Sequence, residues 1–384
     1  MPLQSWARRL LVSSAATQGA IYVIRPMITY RALEIHAGPS VIGLIAAMYA
    51  LFPVLLALTF GKMVARTGEG KFIIVGTIAI GASAALLLAA HNVALLIVAA
   101  ALSGTAHLAC MVGGQTMVAL KSPEDQYERY FGLYTFSASL GQMIGPILAT
   151  LVAGTTGVIP ESTSRAFALA LFVSALALAP ALRWRGDAPS VAPIESDSGT
   201  LKAAYVLMKK PGIFAAIFTS LAVSSTSDVL VVFLPLYGNE HHFSSFSIGL
   251  IIALRAAASM TSRFFLEKIS ARFNSMTLLS TSNLIAIGGC IAMAFAPTPF
   301  ILGVIVFITG FVLGIGQPLT MTFVSQRTEP HERALAVSAR LTGNRLGQFI
   351  VPGVAGVVAS SSGTSAVFIS LALLLGSTYL PRQR

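Results

Sequence analysis

Charged side chains are scarce. They make up 10% of the 384 residues, against 55% apolar, and mean hydropathy is +0.80. That is too little polar side chain to cover a soluble globule of this length, which leaves a lipid bilayer as the natural medium. Acidic residues are scarcer still, 14 against 25 Lys and Arg. The basic excess does not point to nucleic acid, because the cations are scattered singly or in short groups between apolar runs and form no dense patch. There are only two cysteines, Cys110 and Cys290, each inside an apolar run, so no disulfide framework is expected. Spaced metal ligands are missing: His241 and His242 are adjacent, without further ligands at suitable spacing. With no Walker-type glycine loop and no Ser, His and acid arrangement, neither a nucleotide-driven pump nor a hydrolase is expected.

The chain is rich in long apolar runs. Twelve of them, the first near residues 8–31 and the last near 363–380, have about the length a helix needs to cross a bilayer. The expected fold is an all-α integral membrane protein with twelve transmembrane helices in two pseudo-symmetric six-helix bundles. The first apolar run has signal-peptide features but no cleavage-like stop, and it reads as a retained helix. One long polar segment, residues 183–210, is rich in Pro, Ser, Gly and acids and reads as a linker with little to bury. It divides the chain into bundles over 1–182 and 211–384.

A shift of 206 positions lays the second half over the first. It matches Ile42, Gly43, Leu44 and Ile45 to Ile248, Gly249, Leu250 and Ile251, and Leu140, Gly141 and Gln142 to Leu346, Gly347 and Gln348. One offset shared by such distant segments implies a duplicated unit. Loop charge then sets the orientation. With both termini on the cytoplasmic side, nearly all loop Lys and Arg fall there, and only Arg31 and Arg165 fall opposite.

Arg25, Arg255, Arg340, Arg345 and Asp228 remain inside apolar runs, where ionisable groups are costly unless they face a partner or a water-filled cavity. Gln18, Tyr22, Arg25 and Thr29 share one face of the first helix, and Arg340, Asn344 and Gln348 one face of the eleventh. The offset pairs Tyr22 with Asp228, Tyr49 with Arg255 and Tyr134 with Arg340, as if one cavity wall had been duplicated and then charged. Four arginines against one carboxylate favour an anionic or amphiphilic small-molecule substrate. Asp228 reads as a counter-ion of Arg25 or Arg255, as a proton site, or as a substrate contact. Arg345 lies on another face and reads as a packing residue. His107, Cys110 and Gln115 can reach the cavity, with a satisfied interface histidine as the plainer reading of His107.

At this point the chain resembles the major facilitator superfamily over essentially its whole length. The family's loop pattern between the second and third helices is matched by Gly61, Arg66, Gly68 and Lys71, with Ala65 where the family usually has an aspartate and Glu69 as a candidate replacement. Gly141, Gly145 and Pro146 in LGQMIGPILA resemble the fifth-helix motif of proton-coupled antiporters, although Ala149 and Thr150 replace its second glycine pair. The resemblance implies alternating access in a bacterial cytoplasmic membrane, by a single monomer, with H+ as coupling ion and no cofactor. It implies a proton-coupled exporter; the alternatives are a proton symporter of a small organic acid, and a non-transporting scaffold or enzyme.

Overall fold

The protein is represented by a computed structural model, which describes residues 3–123, 126–184, 207–329 and 333–379. Among these, twelve long helices follow one another: α1 Ser5–Glu34, α2 Pro39–Thr67, α3 Glu69–Leu88, α4 Val93–Lys121, α5 Tyr127–Ala153, α6 Thr163–Ala181, α7 Ile213–Glu240, α8 Ser245–Ser270, α9 Ser275–Met293, α10 Pro299–Gln326, α11 Arg333–Ser362 and α12 Thr364–Ser377. Nine are long and apolar enough to cross a membrane on composition and length alone. The other three fail for visible reasons. α1 and α11, each 30 residues, carry Arg25 and the pair Arg340 and Arg345 among other polar residues, and α12 has only 14 residues.

Helix ends follow local chemistry. Asn92 and Thr298 accept the Leu95 and Ile301 backbone N–H groups at the starts of α4 and α10. Gly68, at φ +90°, ends α2 and starts α3 in a single residue, a conformation an L side chain resists. Proline opens α2 and α10, where its missing N–H is not needed.

The packing repeats. α1 packs on α5 and α6, α2 on α4, and α3 on α4 and α6; α7 packs on α11 and α12, α8 on α10, and α9 on α10 and α12. Individual bonds repeat as well. Gln142 donates to Gln18 at 3.3 Å, and Gln348, its equivalent, donates to Ser224 at 2.9 Å. The Glu34 carboxylate accepts from the backbone and hydroxyl of Thr163, as Glu240 does from Thr364. These carboxylates tie the last turns of α1 and α7 to the first turns of α6 and α12.

Between the halves, α2 meets α11, α5 meets α8 and α1 meets α7. The closest approaches lie at the starts of α2 and α8, the end remote from the basic loops. A Cβ on Gly43 would sit 2.6 Å from the Gly356 Cα and from the Pro352 carbonyl oxygen, and one on Gly249 would sit 2.9 Å from the Pro146 carbonyl oxygen. Small residues let these helix backbones touch. The same end is sealed by Ser245, whose N–H and hydroxyl bond the Gly157 and Gly154 carbonyls, and by Thr29, which donates to the Val232 carbonyl at 3.1 Å.

The connector differs from expectation at its ends. Trp184 is buried against Gly70 of α3, and Leu207 is buried in an apolar cluster with Ile213 and Ala336. An indole and a leucine give the segment's ends something to bury. Its residues 185–206 lie outside the described residues.

Replacing Gly43 with Val should destabilise the closed end by about 1–3 kcal/mol, the usual cost of forcing extra methyls into a packed contact. The thermal midpoint of detergent-purified protein should fall, and a cysteine placed at Ala47 should become more reactive towards a membrane-impermeant maleimide; no change in either would contradict the close approach.

Candidate functional site

About two-thirds of the way along α1 and halfway along α7, one ion pair joins the two halves: Arg25 donates from its terminal nitrogen to the Asp228 Oδ1 at 2.6 Å, with the side chains 8% and 17% exposed. In a low-dielectric setting neither charge is tolerable alone, and a short charge-assisted bond offsets part of their desolvation. The Arg25 guanidinium also lies 4.7 Å from the Tyr49 ring centre and 5.8 Å from that of Tyr22. Tyr22 and Asp228, equivalent under the repeat, therefore both serve Arg25.

Tyr49 is held from behind. Its hydroxyl is 2.6 Å from His107 Nδ1, and His107 Nε2 is 2.8 Å from the Gln18 side-chain nitrogen. Gln18 in turn accepts from Gln142. The chain Gln142, Gln18, His107, Tyr49 thus crosses α5, α1, α4 and α2 and ends beneath Arg25. With Gln18 donating, His107 Nε2 accepts and Nδ1–H points at Tyr49, which leaves the phenolic hydrogen free. Backbone contact fixes the same tyrosine, since a Cβ on Gly104 would overlap the Tyr49 carbonyl oxygen at 1.7 Å. The repeat reproduces this device with Gly310 pressed on the Arg255 backbone.

The predicted residues divide into two groups. Gln18, Tyr22, Arg25, Tyr49 and Asp228 come together at the centre. Gln348 joins their edge, because it binds Ser224 of α7 and accepts from Arg345 at 2.9 Å. Arg340 and Asn344 instead turn into their own half. Arg340 donates to the Gln317 carbonyl and side-chain oxygens, both at 2.7 Å, and to Thr320 at 3.2 Å, and Asn344 donates to Gln317 at 3.2 Å. Their shared face of α11 packs on α10. Tyr134, the equivalent of Arg340, likewise packs inside the first half with Ile73 and Met117. Arg255 is buried, 6% exposed, and its Nε has no partner.

Three members of the site escaped periodicity. His107 is a link in the central chain, a role that one histidine on an apolar helix does not announce. Arg345 reaches across the halves to the Met111 sulfur at 4.0 Å and lies in electrostatic range of Asp228 and Tyr49. Its spacing of three from Gln348 was the available signal. Arg263, inside α8, is exposed and in electrostatic range of Tyr22 on α1 and of Arg255. Its spacing of eight from Arg255 places it two turns along the same helix.

Among the residues of the two expected gating motifs, Gly141 and Gly145 press α5 on α1: a Cβ on Gly141 would meet the Ala15 carbonyl oxygen, and one on Gly145 the Gly19 carbonyl oxygen at 2.7 Å. Pro146 lies inside α5, with its carbonyl oxygen against Gly249 of the other half. Gly61 belongs to α2, and Arg66 and Lys71 are exposed beside the Gly68 turn. Glu69 is buried with its carboxylate 3.5 Å from Lys121 at the end of α4, within its own half. Among the described residues no cluster of three or more His, Cys, Asp or Glu could hold a metal.

Removing one member of a buried pair strands the other. Arg25→Gln or Asp228→Asn alone should cost about 3 kcal/mol, and the double replacement less than the sum of the two; additive losses in a thermal double-mutant cycle would contradict a direct pair.

Comparison with known proteins agrees with this architecture. The chain is 22% identical over 345 residues to multidrug resistance protein MdtG of Yersinia enterocolitica, covering 87% of this chain and 80% of that one. It is 26% identical over 165 residues to the uncharacterized MFS-type transporter Ent638_1421 of Enterobacter sp. strain 638, an alignment spanning 42% of this chain and only 40% of that relative. Among solved structures, a point mutant of the nucleoside transporter NupG superposes with a TM-score of 0.82 at 14% identity, covering 98% of this chain and 99% of that one. A bacterial homolog of the human lysosomal transporter Spinster, inward-facing and unoccupied, superposes with a TM-score of 0.74 at 16% identity, covering 100% and 98%. The Major Facilitator Superfamily profile matches residues 10–327 and 277–380. The chain belongs to that superfamily, as a multi-pass membrane protein that carries a small molecule across the bilayer by secondary transport.

Proposed function

We propose that the protein is a proton-coupled exporter of a small anionic or amphiphilic organic solute, working by alternating access of the halves 1–182 and 211–384. The observation that carries this reading is the Arg25–Asp228 pair, the one ion pair between the halves among the described residues, at 2.6 Å. A carboxylate there holds the halves together when ionised and releases Arg25 when a proton neutralises it. Proton binding at Asp228 and rocking of the halves thereby become one equilibrium.

The excess of buried cations supports an anionic solute. Arg345 lies in range of the central pair, and Arg255 and Arg340 add charge with no carboxylate bonded to them among the described residues. Similarity to a protein named for multidrug resistance supports export. The loop cations support a cytoplasmic placement of the basic end. On that placement the sealed end at Gly43 and Gly249 faces outward, and the arrangement is the one that accepts solute from the cytoplasm. A monomer carries out the cycle, and no cofactor takes part.

The test is a panel of organic acids and lipophilic cations added to proteoliposomes that report internal pH. An organic acid should drive proton movement opposite to its own, and Asp228→Asn should abolish the proton signal while solute exchange persists. Proton movement in the same direction as the solute, or a response to lipophilic cations alone, would overturn the reading.

A further inference from the structure

We infer that Arg255 is the arginine that binds the oxyanion group of the solute, a carboxylate on a small organic molecule, and that Arg263 captures this group at the cavity entrance. This rests on the exporter reading of the same cavity and names its anion site.

The other buried guanidinium groups are taken: Arg25 holds Asp228, Arg31 pairs with Glu34 at 3.2 Å and donates to Ser164, and Arg340 spends its fork on Gln317 and Thr320. The half-buried Arg345 donates to Gln348. Arg255 stands apart. It is 6% exposed, its Nε is buried without a partner, and no described residue gives it a hydrogen bond or an ion pair. A buried guanidinium left in that condition is destabilising, because its desolvation is not offset by acceptors. It is tolerated where a ligand supplies the missing acceptors during the working cycle. A planar fork with free N–H groups matches a carboxylate in bidentate geometry.

Position supports the role. Arg255 is the repeat equivalent of Tyr49, and each has its backbone pinned by a glycine, Gly310 and Gly104 respectively. Tyr49 lies under Arg25, so the pseudo-symmetric position places Arg255 across the same central space. Arg263 lies about 12 Å further along α8 towards the basic end. It is exposed, and in electrostatic range both of Tyr22 in the opposite half and of Arg255. No described residue pairs with it. Two unpaired guanidiniums on one helix, one exposed and one buried, form a graded path: long-range attraction first, then a desolvated bidentate bond.

The test uses the full-length protein in detergent, with sulfate and benzoate as probes, at constant ionic strength with chloride as reference. Both probes should raise the thermal midpoint. Arg255→Gln should lose that rise, and its own resting midpoint should match or exceed that of the unaltered protein, because an unpaired buried charge has been removed. Arg255→Lys should keep part of the rise. Arg263→Gln should reach the same plateau at roughly fivefold higher probe concentration, the worth of one exposed charge interaction. A full rise in Arg255→Gln, or a resting midpoint that falls in both Arg255 variants as it would for a structural brace, would overturn the assignment. Proton flux that requires Asp228 but is indifferent to Arg255 would overturn it while leaving the exporter reading intact. Anion binding at Arg255 without Asp228-dependent proton flux would do the reverse.

Discussion

The ion pair between Arg25 and Asp228 is the contact on which the rest of the centre depends. It joins α1 to α7, buries two opposite charges at 2.6 Å, and sets what its neighbours can do. Tyr22 and Tyr49 offer their ring faces to the guanidinium, and the chain through His107, Gln18 and Gln142 fixes Tyr49 in place. Buried polar networks of this kind are costly when incomplete, so each member constrains the next. Around the pair, the two halves touch through glycine, proline and threonine on the side away from the basic loops, where no large side chain holds the backbones apart.

Duplication explains most of this arrangement and also where it departs from symmetry. Gln142 with Gln18 recurs as Gln348 with Ser224, and Gly104 on Tyr49 recurs as Gly310 on Arg255. The scaffolding contacts share their geometry in the two halves, while the equivalent positions hold phenols in the first half and charges in the second. The second half therefore carries Asp228 and Arg255 where the first carries Tyr22 and Tyr49, which concentrates the electrostatics of the site on α7 and α8.

Much of the fold could be read from the residues. The helices and the repeat follow from apolar run length and one offset; Gln18, Tyr22 and Arg25 follow from helical periodicity, Tyr49 from the offset, and Asp228 from being a charge inside an apolar run. Other features depend on rotation and reach that spacing alone does not define. Arg340 and Asn344 share a face of α11, but that face packs on α10 because Gln317 supplies acceptors there. Arg345 sits on a neighbouring face and reaches the centre. The tie from Glu34 to Thr163 recurs as Glu240 to Thr364, but the shift of 206 does not pair the two threonines, since the connection between the fifth and sixth helices of the second half is shorter. Trp184 looked like part of a solvated linker because one indole among polar residues carries little weight in composition, yet it is buried on Gly70.

The central claim is that the charge on Asp228 biases which end of the molecule is closed. Arg66 and Arg272 are exposed near the basic ends of α2 and α8, one in each half, and suit replacement by spin-labelled cysteines once the buried Cys110 and Cys290 have been changed to serine. Electron–electron distance measurement in lipid nanodiscs then compares Asp228 with Asp228→Asn. Neutralising the carboxylate should move the distribution towards shorter distances as the basic end closes and the opposite end opens. A distribution that does not change would contradict the coupling of this ion pair to the movement of the halves.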